Sequence, residues 1–303
     1  MTTLSRDQPF RIARLQFTLL GGLFWLFATV AISLNAMAEN RVPGADRATL
    51  APEPMVRWQV GASAFYTSGK YGTDVRTDTL YVPSSLRRYF DHGDLTLVIP
   101  YVTVTSNCGV TLVSGQPLPT GGLCSQRTPN GSGTLPSRVT QSGLGDVLLI
   151  GRYYLHIEQE PGVLPSILLS ARIKAPTADR NKGLGTGEWD EGIGLGLIKL
   201  ITTKFIAFGD IGYTFIGDPP GANLQNQWSY DLGLGYYFLP TVLGSIYYEE
   251  ASALVSSFQN PRDIFMAASW FVTRDLWLNA GFIKGVSSGA PQYGGNVGVI
   301  YRF

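Results

Sequence analysis

The sequence predicts an all-β protein, a transmembrane antiparallel up-and-down β-barrel of about 12 strands. Charged residues make up only 15% of the 303 residues, while aromatics reach 12% and glycines number 36. An ordinary soluble protein has about 25% charged residues. After residue 54, segments of about ten residues alternate apolar and polar positions, which is the length and period of a tilted membrane-spanning strand. The stretches between them alternate long and short, as the loops and turns of outer-membrane barrels do.

The composition also excludes several classes of protein. An apolar content of 45% excludes intrinsic disorder. A formal net charge of +1 without a basic stripe argues against a nucleic-acid binder. A mean hydropathy of only +0.09 is low for a bundle of membrane helices.

Residues 1–38 have the features of a secretory signal peptide. Three arginines, Arg6, Arg11 and Arg14, precede an apolar stretch over 15–34, and Ala36-Met37-Ala38 forms a small-x-small cleavage site. Since the apolar stretch is long, an uncleaved anchor helix is the alternative. Cleavage removes three arginines and one aspartate, so the formal charge changes from +1 to −1 and indicates no charged partner.

The next segment, 39–54, is polar and rich in proline. We expect it to be flexible and to trail in the periplasm, and the alternative is that it enters the barrel as a small plug. The remaining residues, 55–303, form the predicted barrel.

Apolar alternation predicts twelve strands. On the fifth, Ile167, Leu169 and Ile173 share one face while Arg172 and Lys174 share the other. Five short turns and six long loops, the longest at 106–145, connect the strands, so both chain ends lie on the periplasmic side. The predicted strands are 56–66, 78–90, 95–105, 146–156, 165–175, 190–200, 205–216, 228–238, 241–251, 263–272, 276–285 and 295–303.

The last strand carries an assembly signal. Val299, Tyr301 and the terminal Phe303 share one face, a pattern that resembles the C-terminal recognition signal of outer-membrane barrels. The expected partners are therefore the barrel-assembly machinery and outer-membrane lipid.

The two cysteines lie in one loop. In an exported protein, Cys108 and Cys124 are expected to form a disulfide, because thiols oxidise outside the cytoplasm. Closing a loop of this length contributes about 3 kcal/mol in the chain-entropy model. A metal site would need more ligands than this segment offers, so we predict neither a metal nor a cofactor.

Charged residues at inward strand positions are the candidates for lining the lumen. Opposite charges on facing arcs of the barrel wall would create an electric field across the lumen. Rings of charged side chains are also how channels select ions. The alternative is a structural ion-pair network that fills a narrow barrel. The basic candidates are Arg152, Arg172 and Lys174 on the fourth and fifth strands, and the acidic ones are Asp210, Asp231, Glu249 and Asp263 on the seventh to tenth.

Catalysis is not expected. The only histidines are His92, in a predicted turn, and His156, at a strand end. No nucleophile motif accompanies them, so an enzyme would have to use a residue such as His156 or Ser142. The glycine-rich stretch 183–187 lacks the lysine and the strand–turn–helix context of a phosphate loop.

Three short motifs carry a family resemblance. They are Ser142-Gly143-Leu144-Gly145-Asp146, then Ala175-Pro176-Thr177 with the glycine-rich 183–187, then Gly212-Tyr213. In this order they resemble a bacterial outer-membrane family named after the meta pathway of phenol degradation. The family pattern usually continues Pro-Thr-Gly, where this chain has Ala178. The resemblance implies an outer-membrane barrel linked to uptake of aromatic or other hydrophobic compounds.

We therefore expect a monomeric outer-membrane channel or transporter that passes small molecules by passive or facilitated diffusion. The alternative is a non-transporting structural or surface-interaction barrel. No nucleic-acid partner is expected.

Overall fold

A computed structural model describes residues 57–107, 109–119, 138–158 and 160–303. The predicted signal peptide and the 39–54 segment lie outside this range. The described strands are β1 (Trp58–Gly69), β2 (Thr77–Phe90), β3 (Gly93–Ser106), β4 (Val110–Val113), β5 (Gln116–Pro119), β6 (Val139–Leu144), β7 (Val147–His156), β8 (Ser166–Ala175), β9 (Asp190–Leu200), β10 (Phe205–Phe215), β11 (Gln227–Leu239), β12 (Val242–Ala251), β13 (Arg262–Phe271), β14 (Leu276–Gly285) and β15 (Tyr293–Arg302).

The sheet closes into an antiparallel barrel. Each strand from β7 to β15 pairs with the next, β15 pairs with β1, and β1 to β3 follow in order. β6 and β7 both pair with β3 and act as two parts of one wall strand, separated at residues 145–146. The wall therefore has twelve strands, which confirms the predicted fold class. Closure gives the wall strands partners on both sides, as a sheet in lipid requires, while β6 pairs with β3 alone.

Short and long connections alternate as predicted except at β7–β8, where the predicted short turn spans 157–165 and is longer than the predicted long loops at 70–76 and 286–292. Both described chain ends lie at the end of the barrel with the short turns, where the backbone amide of Trp58 donates to the carbonyl of Phe303 (3.0 Å). Following the convention for outer-membrane barrels, we call this the periplasmic end and the long-loop end extracellular. In the described part of the chain, no helix is long and apolar enough to cross a membrane.

Side-chain parity matches the prediction on the wall strands whose faces were assigned, with one exception. The alternation places His156 on the face of Arg152, but a register shift after Tyr154 pairs the exposed His156 with Ile167, which lies on the other face.

On β10 the parity is as predicted, since Ile211, Tyr213 and Phe215 are exposed on the outside, while Thr214 between them is buried. The inner face differs from a purely polar lumen because it also carries large apolar side chains. These include Phe65, Leu168, Phe208, Leu243, Tyr247, Phe265 and Trp277.

The predicted loop 106–145 contains regular structure that the alternation did not predict. Its β4–β5 hairpin folds back to the barrel, where the backbone amide of Leu112 donates to the carbonyl of Gly183 (2.9 Å). Its last part is β6, which extends the fourth wall strand toward the extracellular side. β6 belongs to the wall because it pairs with β3, and its sequence does not alternate apolar and polar residues. The search for apolar alternation therefore did not predict this strand.

Candidate functional site: the barrel lumen

The structure places all seven predicted lumen residues on the inner face. Asp210 is half-buried and the other six are buried, although all seven are charged side chains. The two arcs differ in how their charges are compensated, and they are described in turn.

Near the periplasmic end, Arg152 belongs to a buried cluster. Its Nη2 lies 3.2 Å from Asp94 Oδ1, and Arg87 Nη2 lies 2.8 Å from Asp94 Oδ2. The hydroxyl of Tyr154 also donates to Asp94. One carboxylate thus holds two guanidinium groups, which are costly to bury unless they are paired. The sequence missed Arg87 because β2 alternates poorly, and Asp94 because it lies at the very start of β3.

At the extracellular end, Lys174 is held between two carboxylates. Its Nζ lies 3.2 Å from Asp146 Oδ2 and 3.0 Å from Asp190 Oδ2. The backbone amide of Ala178 donates to Asp146 Oδ1 (3.0 Å), and Thr177 Oγ1 donates to the carbonyl of Gly145 (3.0 Å).

Two of the three motifs of the family resemblance therefore meet around Lys174. The glycine-rich stretch also fits here, since a Cβ at Gly185 would lie 2.7 Å from Asp146 Oδ2. Ala178, which stands where the family pattern has glycine, is buried, and its backbone amide donates to Asp146 Oδ1.

Arg172 lies across the inner wall. Its guanidinium donates to Thr214 Oγ1, and its side chain covers Gly192, where a Cβ would meet Nε at 2.7 Å. The basic arc is thus largely engaged with neighbouring wall residues, and Asp94, Asp146 and Asp190 balance much of its charge. A simple transverse field between a bare basic arc and a bare acidic arc does not describe this lumen.

The four acidic candidates form one continuous row. Register pairs Asp210 with Asp231, Asp231 with Glu249, and Glu249 with Asp263, so the four carboxyl groups are direct neighbours across β10 to β13. Among the described residues, none of the four takes part in an ion pair. Like charges directly opposite each other destabilise a sheet. We call these four residues the carboxyl row.

Extracellular loops cover the mouth of the barrel with an apolar cluster. Val113 and Leu118 of the β4–β5 hairpin pack with Ile216 and Leu254 from two other loops. Beneath the hairpin lies a cavity of about 40 Å³, lined by Leu112, Ser114 and Lys174 among others. We call the cluster of Val113, Leu118, Ile216 and Leu254 the apolar lid.

The other predicted site residues have varied outcomes. Cys108 and Cys124 lie outside the described residues, so the disulfide stays a prediction. Val299, Tyr301 and Phe303 all face outward and are exposed. His156 Nδ1 lies 2.8 Å from the carbonyl oxygen of Pro165 at the periplasmic end. No group of three or more His, Cys, Asp or Glu side chains in the described ranges is arranged to hold a metal ion.

A closed twelve-stranded barrel with an apolar exterior and charged inner positions has the fold of an outer-membrane β-barrel. The family model described as "Putative MetA-pathway of phenol degradation" matches residues 93–303. The chain belongs to this family, which confirms the resemblance stated from its motifs. Among curated proteins, no sequence matches the chain significantly.

A solved outer-membrane channel has the same fold. The chain is similar to an outer membrane channel from Pseudomonas putida F1, with a TM-score of 0.62 and 13% identity over 87% of this chain and 100% of that one. The transport unit of the autotransporter AIDA-I from Escherichia coli matches with a TM-score of 0.48 and 14% identity, covering 85% of this chain and 94% of the other. The Ralstonia pickettii toluene transporter matches with a TM-score of 0.44 and 11% identity, covering 82% and 89%.

Proposed function

We propose that this protein is a passive channel in the bacterial outer membrane for small molecules. The carboxyl row carries the proposal. Four adjacent acidic side chains that lack ion-pair partners among the described residues cost stability in a barrel wall. Such a cost is typical of sites that serve function rather than folding. Fixed charges on a channel wall are how pores discriminate among solutes.

The proposed solutes are aromatic or other hydrophobic compounds. The family description refers to phenol degradation, and aromatic side chains are prominent on the inner wall, among them Phe65, Phe208, Tyr247 and Phe265. Aromatic rings pack favourably against such side chains. Passage by diffusion, without catalysis, is proposed because the sequence shows neither a nucleotide-binding motif nor a nucleophile motif. The protein acts as a monomer in this proposal, and export follows cleavage near Ala38.

The apolar lid favours a second candidate function. A mouth covered by packed loops also suits a structural barrel whose loops contact surface partners. In that case, the lid would stay closed and no solute would pass.

Two measurements separate these functions. Purified protein in planar lipid bilayers is expected to give discrete conductance steps, and an empty-detergent control gives none. Cells lacking the gene are expected to take up radiolabelled phenol more slowly than wild-type cells at low micromolar concentration, with uptake restored by the gene on a plasmid. The absence of conductance together with equal uptake rates would reject the channel and leave the structural barrel.

A further inference from the structure

A second row of side chains lies directly below the carboxyl row. Register pairs Phe208 with Gly233, Gly233 with Tyr247, and Tyr247 with Phe265, each two residues toward the periplasm from an acidic residue on the same strand. A shift of two residues keeps side chains on the same face. The ring centroids of Phe208 and Tyr247 are 5.3 Å apart, and those of Tyr247 and Phe265 are 6.3 Å apart. We call Phe208, Tyr247 and Phe265 the aromatic row.

Gly233 is what allows the aromatic row to be continuous. A Cβ at this position would lie 2.2 Å from Cδ1 of Tyr247, so only glycine leaves room for the ring to lie flat across β11. The inner wall of β10 to β13 therefore presents a strip of carboxyl groups beside a strip of aromatic faces.

Small residues border the carboxyl row on its other sides. Toward the extracellular mouth, the next row consists of the small residues Gly212, Ser229 and Ala251. Beyond Asp210, the neighbouring position on β9 is Gly196, which has no side chain. The carboxyl groups are thus flanked by small residues on the side from which an external solute would arrive.

Glu249 is the enclosed glutamate of the carboxyl row. It is 2% exposed, and among the described residues neither of its oxygens accepts a hydrogen bond from an amide, amine or guanidinium group; the residue opposite it is Asp263, another carboxyl group. Buried polar groups are almost always satisfied, and an exception calls for an explanation such as an absent ion or ligand. The aromatic row beside Glu249 shows which kind of ligand would fit.

We propose that the carboxyl row and the aromatic row together bind an organic cation with an aromatic body, such as a protonated arylalkylamine. The ammonium group donates hydrogen bonds to Glu249 and its neighbours, and the ring stacks on Tyr247 and Phe265. The row crosses four strands and spans about 14 Å. That length suits an extended solute moving along the wall better than the compact coordination shell of a metal ion, whose ligands lie within about 2.6 Å. This inference rests on the proposed channel function, for which it names a solute class.

Binding can be tested without transport. Isothermal titration calorimetry of the full-length barrel in detergent micelles would compare benzylammonium, benzyl alcohol and benzoate, which share a ring and differ in charge. Benzylammonium is expected to bind at least about tenfold more tightly than benzyl alcohol, the equivalent of about 1.4 kcal/mol, and benzoate most weakly. Equal affinities of the three solutes would overturn the proposal.

Variants assign the effect to the two rows. The double variant Asp231→Asn/Glu249→Gln is expected to lose the preference for benzylammonium and to keep the affinity for benzyl alcohol, while Glu160→Gln in an exposed turn behaves as wild type. Phe265→Leu is expected to weaken benzylammonium but not methylammonium. Circular dichroism verifies folding, and Glu249→Gln alone replaces the double variant if that one fails to fold.

The outcomes also separate this inference from the proposed function. A barrel that conducts ions and passes phenol but shows no preference for benzylammonium would overturn the inference alone. A barrel that binds benzylammonium through these residues but neither conducts nor supports uptake would overturn the channel alone. An unchanged preference in the folded double variant would also overturn the inference.

Discussion

Asp94 holds two buried arginines together near the periplasmic end of the lumen. It is 3% exposed and is held by Arg87 at 2.8 Å, by Arg152 at 3.2 Å and by the hydroxyl of Tyr154. Replacing it with asparagine preserves the volume and removes the negative charge. Two buried guanidinium groups are then left beside each other with no carboxylate between them.

The expected loss of stability follows from this geometry. Breaking a buried ion pair by removing one partner costs about 3–5 kcal/mol, because the remaining charge stays buried. Since an asparagine oxygen still accepts one hydrogen bond, we expect Asp94→Asn to lose about 3 kcal/mol, the lower end of that range. This loss shifts the folding equilibrium about a hundredfold.

Urea unfolding in phospholipid vesicles, followed by tryptophan fluorescence, measures the free energy. Asp74→Asn, in an exposed loop, is the matched control and should change it by less than about 0.5 kcal/mol. Adding Arg87→Gln to Asp94→Asn should recover part of the loss, because it removes one of the two uncompensated charges. A loss below about 1 kcal/mol in Asp94→Asn, or a double variant whose losses simply add, would refute the reasoning.

Three further predictions concern a turn, the lid and the C-terminus. Burial raises the pKa of Glu158, but hydrogen bonds from Lys199 and from the backbone amides of Leu200 and Gly162 outweigh it and hold the pKa below its usual range. The stability that depends on the charge of Glu158 is therefore complete above its ordinary pKa near 4.5 and is lost as the pH falls through its lower pKa in the folded protein. The free energies of unfolding of Glu158→Gln and wild type, measured in urea, should converge at acidic pH. A difference between them that stays constant with pH would contradict this. Leu254→Asp places a charge in the apolar lid and should raise single-channel conductance, whereas Val286→Asp on an exposed loop should not; equal conductances would show that the lid does not limit flow. Phe303→Ala should lower the amount of folded protein in the outer membrane without changing refolding into detergent in vitro, and a matching loss in vitro would indicate a packing role instead of a recognition signal.

The face of the barrel wall on which a strand residue lies could be predicted from the sequence, and the reason is physical. A side chain on a strand alternates between two environments, and lipid excludes charge from one of them. The positions of Arg172, Lys174, Asp210 and Asp231 on the inner face followed from this rule alone. The predicted ends of the wall strands also lie close to the observed ends, because polar and glycine-rich turns interrupt the apolar alternation.

The partners of those residues could not be read in the same way. Asp94 and Arg152 are distant in sequence, and their contact depends on how β3 and β7 align. The apolar lid depends on packing between loops from different parts of the chain. Such packing leaves no periodic pattern in the sequence. β6 was missed because its residues are stabilised by pairing with β3 rather than by an apolar face of their own.

The sequence by itself determined the fold class, the number of wall strands and the face on which each inner charge lies, because period-two alternation and connection length are local properties. Only the tertiary structure decided that Asp210, Asp231, Glu249 and Asp263 form one row beside an aromatic row. A shift of one residue between neighbouring strands would separate them and turn every side chain of the shifted strand to the other face. Register is fixed by the closed barrel as a whole, and for that reason the candidate binding strip emerges only when all of its strands are in place.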